Sequence, residues 1–158
     1  ESNASRGLGD VYKRQGLIFN NIKSNQKDLC LDEIIKNICS FDKSLNYELT
    51  QKLVFEREKL CSTALDNYIA IPHAKIPGLT KSYCALAISK NGIDFGSVDG
   101  QKTKIIIMLL HPESDTRNHL LVLKNIANLF SIKELILKII DSKDSFDIFN
   151  IIKKYESK

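Results

Sequence analysis

In its first third the chain repeats apolar residues at helical spacing, and in the middle it alternates them two by two. Leu31, Ile34, Ile35 and Ile38 return every three or four residues, so the spacing predicts an amphipathic helix behind a Ser24-Asn25 cap. Phe41 to Ser44 breaks it. A second helix follows from Asn46 to Lys59, with Leu49, Leu53 and Leu60 on one core-facing stripe. Leu17 to Phe19 with Ile22, and Tyr68 to Ile71, predict short strands, the latter stopped by Pro72. Tyr83 to Ile88 alternates Cys84, Leu86 and Ile88. Asn91-Gly92 reads as a turn before an extended piece, Ile93 to Phe95, and Asp99-Gly100 as another turn. Lys104 to Leu110 is nearly all apolar, as a central strand buried on both faces would be. Three helices, Arg117 to Phe130, Ser131 to Ile140 and Ser145 to Lys153, close the chain. The order predicts an α/β fold, a single-domain sandwich of helices packed on a mixed β-sheet.

Bulk composition leaves that picture standing. A chain of 158 residues with 43% hydrophobic and 27% charged residues can bury a core without disulfides or a metal. The formal charge of +4 is spread out, with no basic stripe interleaved with aromatics, so no nucleic-acid partner is expected. The four cysteines, Cys30, Cys39, Cys61 and Cys84, form no C-x-x-C pair and read as reduced thiols of a cytoplasmic protein, mostly packed as small apolar groups. No apolar run is long enough to cross a bilayer, and the opening residues show no signal-peptide pattern. Residues 1–15 lack an apolar period and read as residue of cloning, which leaves 16–158 as the domain.

The chemistry lies where polar residues interrupt apolar patterns. Arg57 sits four after Leu53 and three before Leu60, so it shares their stripe, where a charge that cannot be removed needs an anionic partner, the mouth of a cleft, or a route by which its head reaches solvent. His119 precedes Leu123, Ile126, Ala127 and Phe130 in the first turn of its helix, where unpaired backbone N–H groups favour an anion. His73 follows Pro72 at a strand end, where clefts open in α/β folds, and a neutral imidazole is a competent nucleophile toward phosphorus. His111, ending the central strand, raises a three-histidine metal reading with His73 and His119, but the spacing is that of no zinc motif and no metal is expected. P-loop, dinucleotide and nucleophile-elbow motifs are absent, so no cofactor is expected and any phosphate would arrive on a partner.

Taken together these residues resemble a known family. Arg57-Glu58, Ser62-Thr63, Ile69-Ala70-Ile71-Pro72-His73-Ala74-Lys75, Ile93-Asp94-Phe95, Val98-Asp99-Gly100-Gln101, Leu109-Leu110, Pro112-Glu113 and His119-Leu120 are similar to the signature of enzyme IIA of the fructose/mannitol class of the sugar phosphotransferase system, nitrogen-regulatory relatives included. The resemblance runs from about residue 16 to the end. It implies that His73 accepts a phosphoryl group from HPr or an HPr-like phosphocarrier and donates it to an enzyme IIB, with a membrane enzyme IIC acting indirectly. It further implies that His119 supports the phosphoryl group and that Arg57 stands beside it. The I-P-H-A-K variant leans toward the fructose type. A stand-alone regulatory phospho-switch, acting through phosphorylation-dependent protein binding, is the alternative. Where the family often carries glycines before the I-A-I-P-H element, this chain has Ala64, Asp66 and Tyr68.

Overall fold

The computed structural model describes residues 17–156, and the expectation about residues 1–15 lies outside them. The elements in order are β1 (Ile18–Phe19), α1 (Lys27–Phe41), α2 (Tyr47–Leu60), β2 (Ile69–Ala70), β3 (His73–Ile76), β4 (Tyr83–Ile93), β5 (Thr103–Pro112), α3 (Thr116–Leu129), α4 (Lys133–Ile140) and α5 (Ser145–Glu156). Five helices pack on a mixed five-stranded sheet. β4 and β5 pair antiparallel at its centre, β1 adds parallel to β4, and β2 then β3 run one after the other parallel to β5.

Strand alternation divides the core in two. Cys84, Leu86, Ile88, Ile105, Ile107 and Leu109 face one way and pack against Val122, Ile126, Leu135, Ile139, Ile148 and Ile152 of the three C-terminal helices. Ala85, Ala87, Ile106, Met108 and Leu110 face the other way, against Leu31, Ile34, Ile35 and Ile38 of α1 and Val54 of α2. Because both faces are covered, the sequence of β5 reads as an unbroken apolar run.

Several expectations are corrected. Ser24-Asn25 does not cap α1, whose N-cap is Gln26. Ser24 instead binds Glu33 inside the helix, its hydroxyl donating at 2.6 Å and its N–H at 3.1 Å, so one carboxylate ties the incoming loop to the second turn. Asn46 does cap α2, accepting from Leu49 N–H at 3.0 Å. The buried face of α2 is Thr50, Val54 and Glu58 rather than the Leu49–Leu53–Leu60 stripe. Asn91-Gly92 makes no turn, because β4 runs through it with a register shift between Ile88 and Ile93. Gly92 adopts φ +79°, and a Cβ there would lie 2.7 Å from Lys102 Cβ. The bulge thus needs a residue free to enter the left-handed region and without a side chain. Cys61 is exposed, unlike the buried Cys30 and Cys84, whose thiols burial pushes up to about 12. No helix among the described residues is long and apolar enough to cross a membrane.

Candidate functional site

Pro72 has no N–H to give a sheet ladder, so it separates β2 from β3. Its carbonyl still accepts from Leu109 N–H at 2.9 Å, and the chain re-enters the sheet at once. His73 is therefore the first residue of β3, in register with Leu109, and not a loop residue. Leu109 belongs to the sheet face covered by α3, which presents His119 from its first turn. The His73 and His119 ring centroids are 5.3 Å apart and their planes tilt by 52°.

The remaining wall comes from α2. Leu53, Arg57 and Leu60 line, with His73, Lys75, His119, Leu120 and Leu123, a cleft of about 590 Å³. This explains why α2 misleads as a sequence: its apolar stripe lines a cleft, and Arg57 interrupts it because it stands at that cleft. The Arg57 guanidinium donates to the Cys61 carbonyl at 3.0 Å across the end of α2, which holds the head in place. The three residues to which the resemblance assigns roles, His73, His119 and Arg57, line this one cleft. Tyr68 is not at the cleft. It packs on the core with Lys104 Nζ 5.5 Å from its ring centroid. It has φ 72° and Asn67 φ 65°, the backbone that glycines would adopt without strain.

His73 is held in one tautomer. Its Nδ1 lies 2.8 Å from the Ile71 carbonyl, which can only accept, so Nδ1 carries the proton and Nε2 keeps a lone pair. The Ile71 carbonyl is itself anchored. Ile71 N–H donates to Thr63 carbonyl at 3.1 Å, and Glu58 accepts from Thr63 N–H at 2.9 Å and from its hydroxyl at 2.7 Å. Lys27 pairs with Glu58 at 2.9 Å. A rigid path thus runs from α1 to the His73 ring. Sequence reasoning assigned Glu58 no role beyond its place in the motif. The available signal was its position, four after Val54 and eight after Thr50, which buries a carboxylate at 7% exposure.

The electrostatics keep the imidazoles neutral. Burial lowers the His73 pKa from its usual value, and the Arg57 and Lys75 charges push the same way, against the Ile71 bond and Glu58. His119 falls to about 4, first through burial and then through His111, His73 and Lys75. His111 is lowered by burial as well, with Asp115 opposing. The cleft therefore offers a neutral nitrogen lone pair beside a permanent cation, an arrangement suited to attack on an electrophile carrying negative charge. Among the described residues no group of three or more His, Cys, Asp or Glu could hold a metal ion.

The cleft of this α/β fold thus pairs a strand-borne histidine, His73, with one from the facing helix, His119. Residues 12–155 match the family model described as phosphoenolpyruvate-dependent sugar phosphotransferase system, EIIA 2, and the chain belongs to that family. A nitrogen regulatory protein of Bradyrhizobium diazoefficiens is 32% identical over 131 residues, covering 83% of this chain and 85% of that protein. The fructose-specific EIIABC component of Bacillus subtilis is 27% identical over 136 residues, 86% of this chain but 21% of that much longer protein. Among solved structures, nitrogen regulatory protein IIA-Ntr of Neisseria meningitidis superposes with a TM-score of 0.83 at 26% identity, covering 92% of this chain and 98% of the other. IIA mannitol of Escherichia coli shares the fold, with a TM-score of 0.73 at 17% identity over 87% of this chain and 96% of the other.

Proposed function

We propose that this chain is a phosphocarrier that receives a phosphoryl group on His73 Nε2 from phospho-HPr or an HPr-like protein and passes it to an enzyme IIB partner. The observation that carries this reading is the His73 tautomer: with Nδ1–H committed to the Ile71 carbonyl, Nε2 is the nucleophilic atom, in the same cleft as Arg57 and His119. In the transfer, the Nε2 lone pair forms the new N–P bond while the donor's N–P bond breaks and the donor imidazole leaves neutral. Positive charge gained by the His73 ring is stabilised at Nδ1–H by the Ile71 carbonyl. Arg57 supplies a fixed charge to the phosphoryl oxygens and His119 a neutral N–H donor, so the chemistry is positioning plus charge stabilisation. Exposed Leu60 and Leu120 at the rim suit docking of protein donors and acceptors.

The use made of the phosphoryl group divides the relatives. Fructose-specific relatives support a place in sugar uptake, with enzyme IIB and a membrane enzyme IIC downstream. The nitrogen regulatory relatives, including the one at 32% identity, support a phosphorylation-dependent switch that binds other proteins in the cytoplasm. The fructose-type preference rests on the Ile71-Pro72-His73-Ala74-Lys75 variant and the fructose-specific relatives, and the nitrogen regulatory relatives favour the switch.

The test incubates the protein with phosphoenolpyruvate, enzyme I and HPr and measures mass. An acid-labile gain of one phosphoryl group that disappears in His73→Ala is expected. No gain under conditions that phosphorylate a known enzyme IIA, with HPr and with an HPr paralogue alike, overturns the reading. Adding a fructose-type enzyme IIB then separates the two uses: discharge onto it marks transport, and retention marks the switch.

A further inference from the structure

His111 stands beside the site without a part in the chemistry described so far. It lies two residues after Leu109 on β5, so it shares the sheet face that meets α3, and it is 2% exposed. Its Nδ1 lies 2.7 Å from the Ser82 hydroxyl, which sits one residue before the Tyr83↔Leu110 pair on the neighbouring strand. Its ring meets that of His119 edge to face, with centroids 4.6 Å apart and planes at 85°. On these two adjoining rings, His111 Nε2 and His119 Nδ1 are both buried and both lack a hydrogen-bond partner. Two unpaired polar atoms sealed from water are costly, and neutral imidazoles carry one N–H and one lone pair each.

We propose that His111, held by Ser82, is a positioning residue that sets the tautomer of His119. This rests on the phosphocarrier reading for its purpose. The Ser82 hydroxyl donates to His111 Nδ1, which leaves the proton of His111 on Nε2. A turn of the His119 ring about its Cβ–Cγ bond, with His111 kept in place by Ser82, lets that N–H donate to His119 Nδ1, satisfying both orphaned atoms at once. His119 must then carry its own proton on Nε2. His119 lines the cleft while its Nδ1 is sealed, so Nε2 is the nitrogen that can reach a phosphoryl oxygen. The opposite polarity would direct a lone pair at an incoming anion in a cleft already lined by Arg57 and Lys75, and would waste the site. Burial keeps both rings neutral, which the relay requires, since a doubly protonated ring has no lone pair to accept with.

The test reads tautomers directly. In protein carrying 15N-labelled histidine, the Nδ1 and Nε2 shifts and the proton correlations of His119 are recorded without any partner, in wild type, His111→Val and Ser82→Ala. The expected result is His119 wholly Nε2–H in wild type, a mixture of tautomers in both variants, and His73 unchanged in all three. Ser82→Ala removes one hydroxyl and keeps the proposal testable if His111→Val fails to fold. Phosphorylation of His73 by phospho-HPr should slow on the order of 10-fold in the variants, the loss typical of removing a ligand-orienting partner. A single His119 tautomer shared by wild type and variants, or a wild type with its proton on Nδ1, overturns the proposal. Absence of phosphorylation in wild type would instead count against the phosphocarrier reading and leaves the tautomer result to stand or fall by itself.

Discussion

Removing the Glu58 carboxylate should cost both stability and transfer rate, through one residue. In Glu58→Ala the Thr63 N–H and hydroxyl, both now bound at 2.9 Å and 2.7 Å, lose their acceptor in a buried position. Each buried orphan costs about 1.5 kcal/mol, so the pair costs about 3 kcal/mol. Lys27 is 26% exposed on its side chain and adds less than about 1 kcal/mol when its ion pair goes. At roughly 2–4 °C per kcal/mol for a chain of this size, a loss of about 3–4 kcal/mol should lower the midpoint of thermal unfolding by roughly 6–16 °C. Glu58→Gln keeps one acceptor oxygen but turns an amide donor toward Thr63, so it should fall between wild type and Ala. The functional consequence follows from the same path. Thr63 carbonyl holds Ile71 N–H, and Ile71 carbonyl holds the His73 ring, so slack at Thr63 should loosen the nucleophile. Thermal unfolding by circular dichroism and the rate of His73 phosphorylation measure the two effects. A Glu58→Ala protein melting within about 2 °C of wild type and labelled at the wild-type rate would refute the idea that this path holds the site.

Other perturbations follow from the same geometry. Arg57→Ala should slow phosphorylation on the order of 10²–10³-fold, as loss of a preorganised charge does. It should also raise the His73 pKa, since Arg57 is one of the charges depressing it, and an NMR titration reads that shift. The pH dependence of stability has a definite sign. His73, His111 and His119 bind protons more weakly folded than at their ordinary value of 6.5, so the unfolded chain takes up more protons below it. Melting temperature should therefore fall as pH drops from 6.5 toward the His119 value of about 4, and less steeply in His119→Asn. Gly92→Ala should destabilise by about 1–3 kcal/mol, because it places a Cβ 2.7 Å from Lys102 Cβ in a left-handed backbone, and denaturant unfolding measures the loss.

How far the sequence could be read depended on what buries each element. β4 and β5 were legible because both faces are covered, and helices α1, α3, α4 and α5 because their apolar stripes meet the sheet. β3 was not, since its alternation of polar His73 and Lys75 with buried Ala74 and Ile76 spans only four residues directly behind Pro72, and it is the pairing with β5 that makes them a strand. In α2 the apolar stripe and the buried face are different faces, because Leu53 and Leu60 line the cleft while Thr50, Val54 and Glu58 face the interior. That same mismatch made Arg57 visible. From the sequence His111 reads as a metal candidate, because its contact with Ser82, 29 residues away in the chain, is one that spacing does not encode. Asn91-Gly92 read as a turn because a bulge and a turn both call for a left-handed glycine, and only the register of β4 on β5 separates them.

The phosphocarrier reading is decided by which atom becomes phosphorylated. The direct measurement is heteronuclear NMR of 15N-histidine-labelled protein after phosphorylation by enzyme I and HPr, read for nitrogen–phosphorus coupling. The expected result is phosphorus bonded to His73 Nε2, with the Nδ1 proton still present and protected by the Ile71 carbonyl. Phosphorus on His73 Nδ1, or on His119 or His111, would contradict it.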